Sequence, residues 1–210
     1  MGERNWDVPQ AQKRGLLKMY RSKGGAARTP SAKPYIYVNE TEIYSRFKNR
    51  FGVQMRDPER AIYPACGADA TPSRVFSKIM FLDPDRDAIE LLKGRGGIAV
   101  DGGLELIRHG SADCVIARRP PYYIIPAIFS IVAKGGFLLT PLGYNPTSSV
   151  LCALDEMPAA GRARSALPTF IFVESLLSRG TAKICQKHRQ EFLVPNYDEE
   201  LAWGVWKRAD

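Results

Sequence analysis

At 210 residues, 45% hydrophobic and 25% charged, the chain is long enough to bury one sizeable core, and its composition excludes wholesale disorder. The net charge of +8 is unevenly placed: residues 1–34 hold eight basic side chains against Glu3 and Asp7, a net of +6, and the remaining 176 residues add only +2. No apolar run is long enough to span a bilayer, since the longest, Pro120–Ala133, contains Pro126 and is ended by Lys134.

The N-terminus begins Met1-Gly2-Glu3-Arg4 without an apolar signal core, so a cytoplasmic location is the default expectation, with no membrane partner. Residues 1–34 read as a basic arm, with a short helix over Ala11–Tyr20 and a linker over Ser22–Pro34 that is rich in Gly, Ala, Ser and Pro. Such an arm suits an anionic partner, nucleic acid first among them; the alternative is a solvated leader that keeps the chain soluble.

Residues 35–58 form a helical lead-in. Asn39 is the expected N-cap, with Glu42 closing a capping box. Ile43, Phe47 and Phe51 fall at i, i+4 and i+8 on one face beside Tyr44, and Gly52 ends the helix.

From residue 59 to 210 the pattern changes to short apolar strands alternating with helices, the mark of a doubly wound, mostly parallel α/β sheet in three layers. In chain order it predicts a strand Ala61–Tyr63, a turn through Gly67, and a helix start at Thr71-Pro72. A strand Lys78–Leu82, a helix Asp85–Lys93 and strands Gly97–Val100 and Cys114–Ala117 follow. A helix Ile124–Ala133 should end at Lys134-Gly135-Gly136 before a strand Phe137–Thr140. Thr169–Leu176 and Thr181–Lys187 read as an antiparallel hairpin around Ser178-Arg179-Gly180, and Asn196–Arg208 as a C-terminal helix carrying Trp203 and Trp206.

Ligands of such sheets bind beyond the carboxyl ends of the strands, and three features converge there. Gly67 allows close backbone approach. Asp83, sixteen residues later, can accept two hydrogen bonds from a ribose diol, or can simply cap the next helix. Asp101, before Gly102-Gly103, can read an adenine edge or serve as a turn residue. The lack of G-x-G-x-x-G after the first strand argues against a nicotinamide-dependent dehydrogenase.

The four cysteines, Cys66, Cys114, Cys152 and Cys185, lie more than 30 residues apart, which suits neither a disulfide framework nor a metal knuckle. Cys66 beside the glycine turn reads as a small packing residue in preference to an activated nucleophile. His109 and His188 sit in no motif, so no metal site is expected.

In residues 61–83, AIYPACGADATPSRVFSKIMFLD, the chain resembles the first motif of the class I S-adenosylmethionine-dependent methyltransferases. VDGGLEL at 100–106 resembles their adenine-contacting segment. ADCVIARRPPYYIIPAIFSIVAKGGFLL at 112–139 is similar to their fourth strand, the following helix and the Gly-Gly turn before strand five. The resemblance implies a Rossmann-like fold with an antiparallel last strand, and S-adenosylmethionine as cofactor. It puts Ala65, Cys66 and Gly67 against the methionine part, Asp83 on the ribose, and Asp101 and Gly102 on the adenine. Ala117 to Tyr122 would then line the space between sulfonium and acceptor.

One departure bears on the acceptor. Amino-directed members carry Asp, Asn or Ser before Pro-Pro-aromatic, where this chain has Arg119 before Pro120-Pro121-Tyr122. Arginine only donates, which argues against adenine amino groups and for an anionic acceptor held by Arg118 and Arg119, with Tyr122 as a pocket wall. The other outcome for the arginines is solvent, reached by snorkelling from the sheet edge. The expected function is therefore methyl transfer to an unspecified, anionic or nucleic-acid acceptor; the alternative is a non-catalytic Rossmann-like protein that binds a nucleotide or nucleic acid.

Overall fold

The computed structural model describes Pro34, residues 36–118, 120–121, 124–142, Val150, Leu154, and residues 168–177 and 202–209. The arm over 1–33, Arg119, Tyr122 and the strand expected at Thr181–Lys187 lie outside the described residues.

The elements run α1 (Val38–Phe51), β1 (Arg60–Pro64), β2 (Lys78–Asp83), α2 (Arg86–Leu92), β3 (Gly97–Asp101), β4 (Ala112–Ile116), α3 (Ile125–Ile131), β5 (Val132–Pro141), β6 (Phe170–Leu177) and β7 (Ala202–Arg208). The strands form one seven-stranded sheet in the order β3-β2-β1-β4-β5-β7-β6. Its first five members are parallel, and β7 runs antiparallel between β5 and β6. The order reverses between β1 and β4, so the crevice beyond Pro64 and Ile116 is the topological switch point.

Alternation along each strand sends successive side chains to opposite faces. Tyr63, Ile79, Phe81, Ile116, Phe137 and Leu139 pack with Ile43, Tyr44, Phe47 and Phe51 of α1 and with Ile89 and Leu92 of α2. On the other face Ile62, Leu82, Val115 and Leu138 pack with Ile125, Ile128 and Phe129 of α3. The expected three-layer α/β/α arrangement is thus present, and the apolar stripe of α1 buries as its spacing requires. Phe47 and Phe51 lie 5.5 and 5.3 Å from the Phe137 ring, which docks α1 on the centre of the sheet. Lys48 of α1 also donates to the Val75 carbonyl at 2.9 Å, and Arg46 to that of Leu177 at 2.8 Å.

Several boundaries differ from expectation. The N-cap of α1 is Tyr37, with no side-chain cap, and Asn39 lies inside the helix; Glu42 pairs with Arg46 at 3.2 Å one turn on, so no capping box forms. Thr71 is likewise inside a short 3-10 turn, Thr71–Arg74, whose N-cap is Ala70. The helix expected at Asp85–Lys93 is present as α2, and its N-cap is Asp85, not Asp83: the Asp85 side chain accepts from the N–H groups of Asp87 and Ala88. Lys134-Gly135-Gly136 is no helix terminus but an irregularity inside β5, which starts at Val132. Gly135 has a φ of 72°, and a Cβ on Gly136 would lie 2.9 Å from the Ala112 and Ala133 carbonyls, so the detour depends on both glycines.

The largest correction is at the C-terminus. Residues Ala202–Arg208, expected as helix, form β7. Trp203 and Val205 join the α1 face of the sheet and Trp206 the α3 face, a period of two that the pair of tryptophans concealed. Gly204 sits under the Trp206 ring, which a Cβ there would strike. Gly204→Ala is therefore expected to displace that indole and cost about 1–3 kcal/mol by overpacking, read from urea unfolding midpoints. Among the described residues no helix is long and apolar enough to cross a membrane.

Candidate functional site

The crevice is built from the loop after β1. Ala65 and Gly67 both adopt left-handed backbone, with φ of 51° and 53°. For an alanine this conformation costs about 1–2 kcal/mol, so the surroundings must hold it. They do so through Asp83 at the end of β2, which accepts the Gly67 N–H on one carboxylate oxygen at 2.8 Å and the Asp85 N–H on the other at 2.8 Å. Asp83 is fully buried, and that burial raises its carboxyl pKa, opposed by the two N–H donors. A Cβ on Gly67 would meet nothing within 4 Å, so the backbone there is open on that side.

Asp101 pairs in register with Asp83, and the Gly102 N–H donates to the Asp83 carbonyl at 3.2 Å. Unlike Asp83, Asp101 is exposed. The structure thus brings Ala65, Cys66, Gly67, Asp83, Asp101 and Gly102 together along the carboxyl ends of β1 to β3. Ala117 follows β4, fully buried, its N–H bonded to the Leu139 carbonyl at 2.8 Å. Cys66 is buried too, and that burial, with Asp83 and Asp69 nearby, pushes its thiol well above the ordinary value. A thiol held protonated suits packing and not nucleophilic attack.

Arg118 departs from expectation. Its side chain is 10% exposed, and its Nε donates at 2.9 Å to Glu40, which is 1% exposed. The guanidinium lies 4.0 Å over the Tyr37 ring. Burial works against its charge, the Glu40 carboxylate beside it offsets that, and the guanidinium stays cationic. Two buried charges need such a partnership, and the anion that Arg118 faces is a residue of α1, not solvent.

Sequence reading missed the polar cluster around this pair. Tyr44 donates to Glu40 at 3.3 Å, and Tyr63 to the buried Asp69 at 2.9 Å. Asp69 also accepts the Thr71 N–H at 2.9 Å and the Thr71 hydroxyl at 2.5 Å. Thr71 in turn accepts the Tyr37 N–H at 2.9 Å. The available signal was Glu40 itself, a charge three residues before Ile43 on the buried stripe of α1, where an acid survives only if paired. Two hollows among the described residues lie at the opposite, amino edge of the parallel strands. One of about 190 Å³ is lined by Arg56, Asp113, Lys134 and Lys207, and one of about 270 Å³ by His109, Ser130 and Arg208. They adjoin none of the residues above. No group of three or more metal-ligating side chains occurs among the described residues.

The architecture is similar to that of a S-adenosylmethionine-dependent O-methyltransferase from Thermotoga maritima, at a TM-score of 0.50 and 13% identity over 85% of this chain and 68% of that one. A tRNA methyltransferase from Aquifex aeolicus aligns at a TM-score of 0.49 and 11% identity, over 84% of this chain and 70% of its own. An N-methyltransferase from Bradyrhizobium japonicum aligns at 0.47 and 12%, over 72% and 86%. No family model and no curated protein sequence matches the chain. With strand order, the antiparallel β7 and the Thermotoga likeness in agreement, the chain has the fold of the S-adenosylmethionine-dependent methyltransferases.

Proposed function

We propose that the chain binds S-adenosylmethionine across the carboxyl ends of β1 to β3 and transfers its methyl group to an acceptor entering beside β4. The observation that carries this reading is the left-handed turn at Ala65 and Gly67, pinned by Asp83 and flanked by the exposed Asp101, at the switch point of the sheet. The backbone of Ala65, Cys66 and Gly67 receives the methionine part, and Asp101 with Gly102 the adenine. Each Asp83 oxygen accepts one N–H and keeps a lone pair, which is the capacity that two ribose hydroxyls need. When bound, the sulfonium supplies an activated methyl group; the protein's part is to hold the acceptor in line, which requires no dedicated acid or base. The net +6 of residues 1–34 supports an anionic acceptor, nucleic acid included.

Calorimetric titration with S-adenosylmethionine, S-adenosylhomocysteine and NAD tests the reading. Binding of the first two and not the third is the expected result. Binding of NAD alone, or of none of them, overturns it.

A further inference from the structure

Arg118 and the loop after β1 stand on opposite sides of the switch point, yet an unbroken chain of contacts joins them. From Arg118 it passes to Glu40 and the Tyr37 ring, from the Tyr37 N–H to Thr71, and from Thr71 to Asp69 in the loop that ends at Ala70. We propose that the first turn of α1, Tyr37 to Glu40, is a strap that holds the loop of Ala65–Ala70 in its ligand-ready shape, and that Arg118 is the positioning residue at its far end. What the crevice binds rests on the reading above; the strap itself does not.

Three features argue for this role over simple packing. Glu40 of the strap, Asp69 of the loop and Thr71 between them are buried polar groups within an otherwise apolar layer, each hydrogen-bonded to another residue of the same network. A fully satisfied buried network specifies one arrangement more sharply than apolar packing does. The loop that it reaches contains the two left-handed residues, Ala65 and Gly67, whose conformation needs outside support. Asp83 braces that loop from the β2 side, and the Asp69–Thr71–Tyr37 link braces it from the α1 side. Finally, the Arg118 guanidinium already has a carboxylate and an aromatic face, so its place after β4 is explained without an acceptor anion.

The test uses the full chain with Arg118→Met, Glu40→Leu and the double variant. Three quantities are measured: the thermal midpoint, the amide hydrogen exchange of residues 66–71, and S-adenosylmethionine affinity by calorimetry. Each single variant strands a buried charge and lowers the midpoint; the double variant, with no charge left over, regains most of that loss. If the strap positions the loop, the double variant still exchanges the 66–71 amides at least about tenfold faster than the parent and binds S-adenosylmethionine roughly fivefold or more weakly. A double variant with restored midpoint and parental exchange overturns the proposal, because the pair is then packing alone. Faster exchange in a protein whose parent never bound S-adenosylmethionine sinks the cofactor reading and leaves the strap standing.

Discussion

Trp203→Ala is expected to lower the unfolding free energy by about 3–5 kcal/mol, the range for truncating a large buried aromatic. Trp203 is fully buried in β7, with Pro141 of β5 and Leu176 of β6 as its register partners and its ring 5.2 Å from Tyr44 of α1 in an edge-on contact. The substitution therefore opens a void at the meeting point of three strands and a helix, which neighbours fixed in a sheet fill poorly. Against a typical total of 5–15 kcal/mol, such a loss unfolds a substantial share of the chain at modest urea. Trp203→Phe supplies the contrast. The Trp203 indole N–H is buried and has no hydrogen-bond partner among the described residues, and stranding a donor costs about 1–3 kcal/mol. Both substitutions remove that donor, but phenylalanine keeps most of the buried ring, so its net cost should fall well below that of alanine. Urea unfolding of both variants checks this, and equal losses in the two would show that a phenyl ring recovers none of the packing at this position.

Asp83→Ala is expected to cost about 1–3 kcal/mol of stability and to weaken S-adenosylmethionine by about tenfold or more, 1.4 kcal/mol being a factor of ten. The reason is geometric before it is electrostatic. The carboxylate joins the Gly67 loop to the start of α2, and without it the Gly67 and Asp85 N–H groups lose their acceptor. The pH dependence separates charge from geometry. Burial raises the Asp83 pKa in the folded chain, so between the ordinary carboxylate range and that raised value the unfolded state holds fewer protons. The Asp83 contribution to stability is then fully present in acid and declines as pH climbs through that window. Asp83→Asn, which keeps an acceptor but cannot ionise, should flatten that part of the curve and keep more of the loop's shape than alanine does. Urea midpoints across mildly acidic pH would settle the point; an unchanged slope in Asp83→Asn means that Asp83 does not titrate there.

Much of the architecture was legible in the sequence because it depends on local pattern. Alternation of short apolar strands with helices determined the parallel sheet and its flanking layers, and the i, i+4, i+8 spacing of Ile43, Phe47 and Phe51 determined which face of α1 is buried. Gly67, Asp83 and Asp101 could be ordered along the carboxyl edge because strand ends follow from chain order alone. Tertiary structure decided the rest. Ala202–Arg208 is a strand because a vacant position between β5 and β6 offers it backbone partners on both sides, an energy that no local propensity contains. The partner of Arg118 is 78 residues away in Glu40, and nothing in the segment around either residue names the other. A buried charge must find its opposite somewhere, but only the packing of α1 across the sheet determines where.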